Sequence, residues 1–330
     1  LCADHQTKHV VKPTNLFNVV NDRYSMMNLV YALIYGSIII LGLPLNVVSL
    51  WILLRNYGCT SPIAVFMVNL VISDLLLIIS LSMRVYYYVK GAWLLGSMAC
   101  ICFTMLFRNN IRTSSIFITF ISVDRLLAVV YPLRSRHLRT TSKAVRGVVI
   151  VWLVVLMVNV PESVGYFRDI NETNCDEFET PKTLLNSKNS TLKYDKLKMA
   201  TGYFQLVLLL TLLVVNIVST VMVSWTLNRR LNESAKVNNK MNVMLIFAMN
   251  LMMFIVFFLP VSLIVIFDHL RPLLSCLASV NCCVDPLLYY FSFDGFWKKK
   301  EDGEVSLARH ESGNTKHREV ELHRKSSGIT

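Results

Sequence analysis

Seven long apolar runs, each about the length of a membrane-spanning helix, divide this chain of 330 residues. A helix needs about 20 apolar residues to cross a bilayer, and the runs are too continuous for spanning strands. Composition agrees, because 54% of the residues are hydrophobic and only 16% are charged. The sequence therefore predicts an all-α membrane protein, a bundle of seven transmembrane helices. The spans are expected near 29–54, 63–88, 98–130, 144–165, 199–227, 241–268 and 272–293.

Basic residues predict which side of the plasma membrane each segment faces. More than half of the 33 lysines and arginines fall in alternate loops and in the segment after the seventh span, which places that segment in the cytoplasm. Residues 1–28 then form an extracellular tail and residues 29–293 the bundle. Residues 294–330 are expected to form a short amphipathic helix, with lysines near anionic lipid headgroups, and a cytoplasmic tail.

The loops on the predicted outer side carry features of an oxidising compartment. Cys100 opens the third span and Cys175 lies in the second outer loop, so we expect these two to form a disulfide. A pairing of Cys2 with Cys276 has weaker support. Glycosylation sequons at Asn171 and Asn189 fall in the same loop, although chance alone could place them there.

Short motifs follow one another along the spans. They are Gly42-Leu43-Pro44-Leu45-Asn46, Asn69 to Asp74, Trp93 to Cys100, Asp124-Arg125-Leu126, Trp152, Pro260 after Phe257-Phe258-Leu259, and Asn281 to Tyr289. Over residues 29–297 this set resembles the rhodopsin-like (class A) G-protein-coupled receptors. Residues 81–87, 131–139 and 285–292 are similar to the branch of nucleotide and lysophospholipid receptors, and most similar to lysophosphatidic acid receptors.

The resemblance implies a receptor that binds a ligand outside and engages a heterotrimeric G protein and arrestin inside, with no nucleic-acid partner. An enzyme is not expected, since no H-E-x-x-H, G-x-S-x-G or paired-acid arrangement appears. A transporter is the alternative from another class, but the sequence lacks the internal repeats typical of one. Phe107 stands where amine receptors carry an aspartate, which disfavours a cationic ligand.

Arginines in the outer and middle parts of the spans indicate an anionic ligand. Arg108 and Arg112 are one turn apart on one helix face, and the resemblance carries a ligand-binding role over to Arg84. Arginine binds phosphate through two hydrogen bonds, which a low dielectric strengthens. In the alternative interpretation, Arg112 pairs with Glu162 or with backbone carbonyls as a structural lock. Basic residues that could surround the pocket entrance are Lys90, Arg168, Lys198 and Arg271.

The sixth span favours a lipid over a nucleotide. After Pro260, residues 261–267 contain no His, Lys or Arg, whereas nucleotide receptors of this branch carry basic residues there. One phosphate with a long apolar tail suits a few arginines and an aliphatic wall. Lysophosphatidic acid is therefore the expected ligand, and a nucleotide or another small anion is the alternative.

The resemblance also assigns roles to polar and aromatic residues inside the bundle. One set matches a sodium-ion pocket: Asp74, Asn110, Ser114, Asn281 and Asp285. A polar core without an ion is the alternative, and no other cofactor is expected. A second set matches the machinery of activation and G-protein coupling: Asp124, Arg125, Phe254, Phe258, Pro260 and Tyr289.

The connection between the last two spans is unusually short. Pro260 and Pro286 are 26 positions apart. Ten helical residues rise about 15 Å, so two helices of ordinary outer length leave almost nothing for a loop. We expect either a very tight turn or fewer residues here than relatives have.

Overall fold

A computed structural model describes residues 13–169, 175, 192–230, 237–267 and 270–292. All seven predicted spans contain helices, and no strand occurs in these ranges. The first five helices are α1 (Pro13–Asn56), α2 (Pro62–Lys90), α3 (Gly96–Val130), α4 (Thr141–Asp169) and α5 (Leu192–Arg230). A short 3-10 helix, Arg134–His137, lies between α3 and α4. The predicted helix bundle is confirmed. Cys2, both sequons and residues 294–330 lie outside the described residues.

The sixth and seventh spans are each built from several pieces. The sixth span comprises α6 (Val237–Met253), a π-helical turn (Phe254–Phe258), α7 (Leu259–Ser262) and a 3-10 turn (Leu263–Val265). The seventh comprises α8 (Arg271–Ser279) and α9 (Asn281–Ser292). Six of the described helical stretches are long and apolar enough to cross a membrane, whereas α8 and α9 reach that length only together.

Helix α2 has the most buried apolar stretch of the six membrane-capable helices, and it packs against α1, α3, α4 and α9. Local sequence sets its ends. Ser61 caps the first turn by accepting a hydrogen bond from the backbone N–H of Ala64, and Pro62 occupies a position that needs no N–H. Gly91 ends the helix in the left-handed conformation at φ 68°, which a residue without a Cβ adopts at little cost.

Residues of the sequence motifs tie these helices together. Asn46 of α1 donates to the backbone carbonyl of Cys282 in α9 at 2.7 Å. The indole of Trp152 in α4 donates to the side-chain oxygen of Asn69 in α2 at 3.1 Å. A hydrogen bond between spans satisfies a polar group that lipid cannot satisfy, so these motif residues fix the packing of their helices.

Proline explains the change of helix type in the sixth span. Pro260 has no N–H to donate, and its ring would clash with the carbonyl of Val256 in a regular α-helix. The preceding turn widens, so that the N–H of Leu259 donates to the carbonyl of Phe254, five residues back. Such π-turns are rare in proteins overall, but those that occur are frequently found at functional sites.

The outer part of the sixth span is short. α7 ends at Ser262, and the backbone N–H groups of Ile266 and Phe267 both donate to the carbonyl of Leu263. α8 then begins at Arg271. The close spacing of the two prolines is therefore accommodated by an early helix end and a tight connection. The predicted end of the sixth span at residue 268 was too late, because helical geometry stops after Val265.

The predicted disulfide is present. Cys100 and Cys175 are bonded with their Cα atoms 5.9 Å apart, and buried Trp93 packs against them. Cys276 is a free, buried thiol. The weaker pairing with Cys2 stays a prediction, because Cys2 lies outside the described residues. We call the end of the bundle that carries Cys100 and Cys175 the disulfide end.

Candidate functional site

Arg84 places a positive charge inside the bundle toward the disulfide end. Its side chain is only 1% exposed. The guanidinium carbon lies 4.3 Å from the ring centre of Phe107 in α3 and 5.8 Å from that of Tyr35 in α1. A desolvated cation over aromatic rings gains about 2 kcal/mol. The rings hold the guanidinium where α1, α2 and α3 meet.

Arg108 and Arg112 both bind one carboxylate, that of Glu162 in α4. Nη2 of Arg112 donates to Oε2 of Glu162 at 2.9 Å, and Nη1 of Arg108 donates to Oε1. Arg112 also donates to Asn159 at 2.6 Å and to Gln205 of α5 at 3.0 Å. Together, the side chains of Arg108, Arg112 and Glu162 carry two positive charges and one negative charge, so this group keeps a net charge of about +1.

The two arginines differ in exposure. Arg112 is 3% exposed and joins α3 to α4 and α5, which is the structural pairing that the sequence offered as an alternative. Arg108 shares this pairing but is 19% exposed. Arg108 is therefore the more accessible of the two to a ligand.

Two of the remaining basic candidates lie at helix ends. Lys90 is exposed at the last position of α2, and Arg271 is buried at the first position of α8. Arg168 and Lys198 belong to α4 and α5, but their side chains lie outside the described residues.

The five residues of the sodium-pocket prediction lie together and are all buried. Asn110 of α3 is central: its amide nitrogen donates to Asp74 at 2.9 Å and to Ser114 at 3.1 Å. Its oxygen accepts from Asn281 at 3.3 Å. The carboxyl group of Asp285 lies beside that of Asp74. α2, α3 and α9 therefore meet at this polar cluster.

Several oxygens of the polar cluster lack a hydrogen-bond partner within the described part of the chain. They are Oδ2 of Asp74, both carboxylate oxygens of Asp285 and Oδ1 of Asn281. A buried acceptor without a partner costs about 1–3 kcal/mol. Hard cations bind carboxylate and amide oxygens, so these residues fit a small cation.

The hydroxyl of Ser73 belongs to the same cluster and was not among the predicted residues. It accepts from Asn110 at 3.2 Å and lies 2.5 Å from the hydroxyl of Thr113. The sequence did contain a signal, since Ser73 directly precedes Asp74 in the second-span motif.

Asp124, at the end of α3 opposite the disulfide, binds a residue that its motif does not indicate. Nε and Nη2 of Arg139 donate to the two carboxylate oxygens, each at 2.9 Å. By accepting these hydrogen bonds, the carboxylate of Asp124 raises the pKa of Arg139 above its ordinary value. Asp124 therefore pairs with a loop residue fifteen positions later in the sequence.

The aromatic residues of the expected switch lie in the π-helical turn. Phe254 and Phe258 are fully buried, with ring centroids 5.4 Å apart. One turn earlier, Asn250 donates to Ser122 of α3 at 2.8 Å. α6 is thus joined to α3 by a hydrogen bond one turn before the π-helical turn. Tyr289 belongs to α9, but its side chain lies outside the described residues.

Comparison with known proteins decides the family. The family described as 7 transmembrane receptor (rhodopsin family) matches residues 45–289. The chain belongs to this family. Membership and the membrane-capable helices make it a multi-pass receptor of the plasma membrane.

This rhodopsin-family receptor is similar to several proteins named lysophosphatidic acid receptors. Lysophosphatidic acid receptor 6 of Gallus gallus is 32% identical over 282 residues, which cover 80% of this chain and 90% of the relative. Lysophosphatidic acid receptor 4 of Homo sapiens is 30% identical, covering 85% and 78%. Lysophosphatidic acid receptor 5 of Bos taurus is 31% identical, covering 83% and 78%.

Proposed function

We propose that extracellular lysophosphatidic acid activates this receptor, and that the receptor signals through heterotrimeric G proteins. Arg84 carries the proposal. A guanidinium stacked on Phe107 and Tyr35 directs its N–H donors within its own plane, which is the geometry of bidentate phosphate binding. The names of the relatives support the same ligand class.

We place the rest of the ligand along the inner surface of the bundle. Arg108 supplies a second contact for the phosphate, in competition with Glu162, while Arg112 holds Glu162 in place. The basic entrance that would attract the anion consists of Lys90, Arg168 and Lys198. Residues 261–267 offer an apolar wall for the acyl chain. That wall disfavours the second candidate, a nucleotide, and family membership offers nothing for a transporter.

We assign the amino terminus to the outside and the carboxyl terminus to the cytoplasm. The polar cluster then lies between the ligand pocket and the cytoplasmic end, where we propose that it binds a sodium ion through Asp74 and Asp285. Arg125 and Tyr289 would contact the G protein, and the residues after 293 would recruit arrestin. The sixth span would move about the π-turn before Pro260.

The test is G-protein activation in cells against a panel of lysophosphatidic acid, lysophosphatidylcholine and nucleotide di- and triphosphates. We expect lysophosphatidic acid to activate, and Arg84→Ala to raise its half-maximal concentration about 10- to 100-fold through the loss of charge-assisted hydrogen bonds. Arg55→Ala is the matched control, because Arg55 also stacks on an aromatic ring, that of Trp51, but at the opposite end.

The amount of receptor at the cell surface must be measured for each variant, because Arg84 is buried and its loss can impair folding. If Arg84→Ala does not reach the surface, Arg84→Lys is tested instead, because it keeps the positive charge. Activation by nucleotides alone would contradict the lipid assignment. An unchanged response of Arg84→Ala at normal surface amount would contradict the role of Arg84.

A further inference from the structure

A cleft opens between α5 and α6 at the end of the bundle opposite the disulfide. Its volume is about 460 Å³, within the range of about 300–1,000 Å³ that is usual for small-molecule sites. Five lining residues come from α5 and one from α6: Thr220, Val221, Ser224, Trp225, Asn228 and Met244. None of them belongs to the pocket proposed for the activating ligand.

One wall of the cleft is polar although it borders lipid. Thr220, Ser224 and Asn228 are spaced four residues apart, so they lie along one side of α5. Beside them, Val221 and Trp225 are 61% and 64% exposed, as expected of side chains that face lipid tails. The hydroxyl of Thr220 donates to the carbonyl of Asn216 in its own helix, so Ser224 and Asn228 supply the groups for a ligand. Polar side chains in spanning helices normally face the bundle interior, so their position here fits a ligand with polar groups.

A positive charge lies at the mouth of the cleft. The guanidinium carbon of Arg229 is 5.6 Å from the ring centre of Trp225. Arg229 directly follows the lining residue Asn228 and lies about 13 Å along the helix axis from Thr220, so a ligand that fills the cleft and reaches Arg229 would extend from the hydrocarbon region to the membrane surface. Tryptophan and arginine both prefer that interface. The cleft therefore offers an apolar floor, hydrogen-bonding groups and a cation in the order in which a phospholipid presents its parts.

We propose that this cleft binds one anionic phospholipid of the cytoplasmic leaflet. Arg229 pairs with the phosphate, Asn228 and Ser224 hydrogen-bond to the headgroup and glycerol region, and an acyl chain lies along Val221 and Met244. The assignment of this lipid to the cytoplasmic leaflet rests on the orientation proposed above. The existence of the binding site does not depend on that orientation. Because the lipid contacts both α5 and α6, it favours whichever spacing of these helices it fits better.

The experiment counts lipids bound to the purified full chain by native mass spectrometry. Detergent micelles contain phosphatidylserine or phosphatidylcholine with identical acyl chains, and no activating ligand is needed. Arg229→Gln removes the charge at the mouth, and Ser224→Leu fills the cleft without changing any charge. Arg55→Gln and Thr211→Leu are matched controls: Arg55 stacks on Trp51 of α1, and Thr211 is an exposed hydroxyl residue on the other half of α5.

We expect the wild-type chain to retain phosphatidylserine in preference to phosphatidylcholine. Arg229→Gln should weaken that preference about fivefold, the contribution of one basic side chain near an anionic membrane surface. Ser224→Leu should weaken the preference for phosphatidylserine at least as much. Both control variants, Arg55→Gln and Thr211→Leu, should keep the wild-type preference. The proposal is overturned by equal losses in Arg229→Gln and Arg55→Gln, by full preference in Ser224→Leu, or by a wild type that does not discriminate between the lipids.

Discussion

At the scale of single residues, Glu162 does most to set the electrostatics of the proposed ligand pocket. Its carboxylate accepts hydrogen bonds from Arg108 and Arg112, so it occupies donors that a ligand phosphate would use. Removing one partner of a buried ion pair is costly, because it leaves uncompensated charge. A phosphate that binds Arg108 would supply that missing negative charge.

Glu162→Gln should therefore destabilise the empty receptor, by about 3 kcal/mol, and increase the stabilisation that lysophosphatidic acid provides. Thermal unfolding of the purified receptor with and without the lipid measures both effects. Asp124→Asn is the control, since it breaks the partly buried pair with Arg139 at the other end of the bundle. An equal lipid-induced rise in melting temperature in wild type and Glu162→Gln would remove Arg108 from the ligand site.

The sequence could indicate which residues are charged inside the bundle, but not all of their partners. Arg84, Arg108 and Arg112 stand out because charge is rare in apolar runs. Gln205 and Arg139 carry no such signal: Gln205 meets Arg112 only through the packing of α5 on α3, and Arg139 reaches Asp124 only through the path of a loop.

At the scale of elements, apolar run length predicted the spans well because burial in lipid requires about 20 apolar residues. The same criterion could not locate the start of α1 at Pro13, since residues 13–28 mix polar and apolar side chains and continue the helix without extending the continuous apolar run. Nor could it predict the early end of the sixth span after Val265, which depends on how closely the last two spans must be joined.

The π-helical turn is the element with a testable mechanical role. Pro260→Ala restores an N–H and removes the clash that widens the turn, so a regular α-helix becomes accessible. We expect maximal G-protein activation to fall while lysophosphatidic acid still binds with nearly unchanged affinity. Nucleotide exchange at saturating ligand, together with ligand binding, separates the two quantities.

Pro161→Ala is the matched control for that experiment, because Pro161 is also an interior proline, in α4. It should leave maximal activation near the wild-type level. Equal losses in both variants would mean that proline matters here only for helix packing, and that the turn at Phe254 and Phe258 is not the moving part.

At the scale of the whole molecule, the polar cluster is where the two ends of the bundle can influence each other. It joins α2, α3 and α9, and the same α2 carries Arg84 toward the disulfide end while α3 carries Asp124 toward the other. A cation bound between Asp74 and Asp285 would stabilise the arrangement in which these carboxylates lie together. By linkage, any ligand that favours a different arrangement must then bind more weakly when the cation is present.

Replacing sodium by N-methylglucamine at constant ionic strength should therefore strengthen agonist binding about fivefold or more, the usual lower range of such coupling. In Asp74→Asn the carboxylate is lost, so agonist binding should no longer depend on sodium. The thermal stability of the ligand-free receptor gives a second readout, which sodium should raise in wild type but not in the variant. A wild-type receptor whose affinity and stability both ignore sodium would mean that the unpaired oxygens of Asp74 and Asp285 are satisfied by water or protons, and that the coupling between the ends runs through helix packing instead.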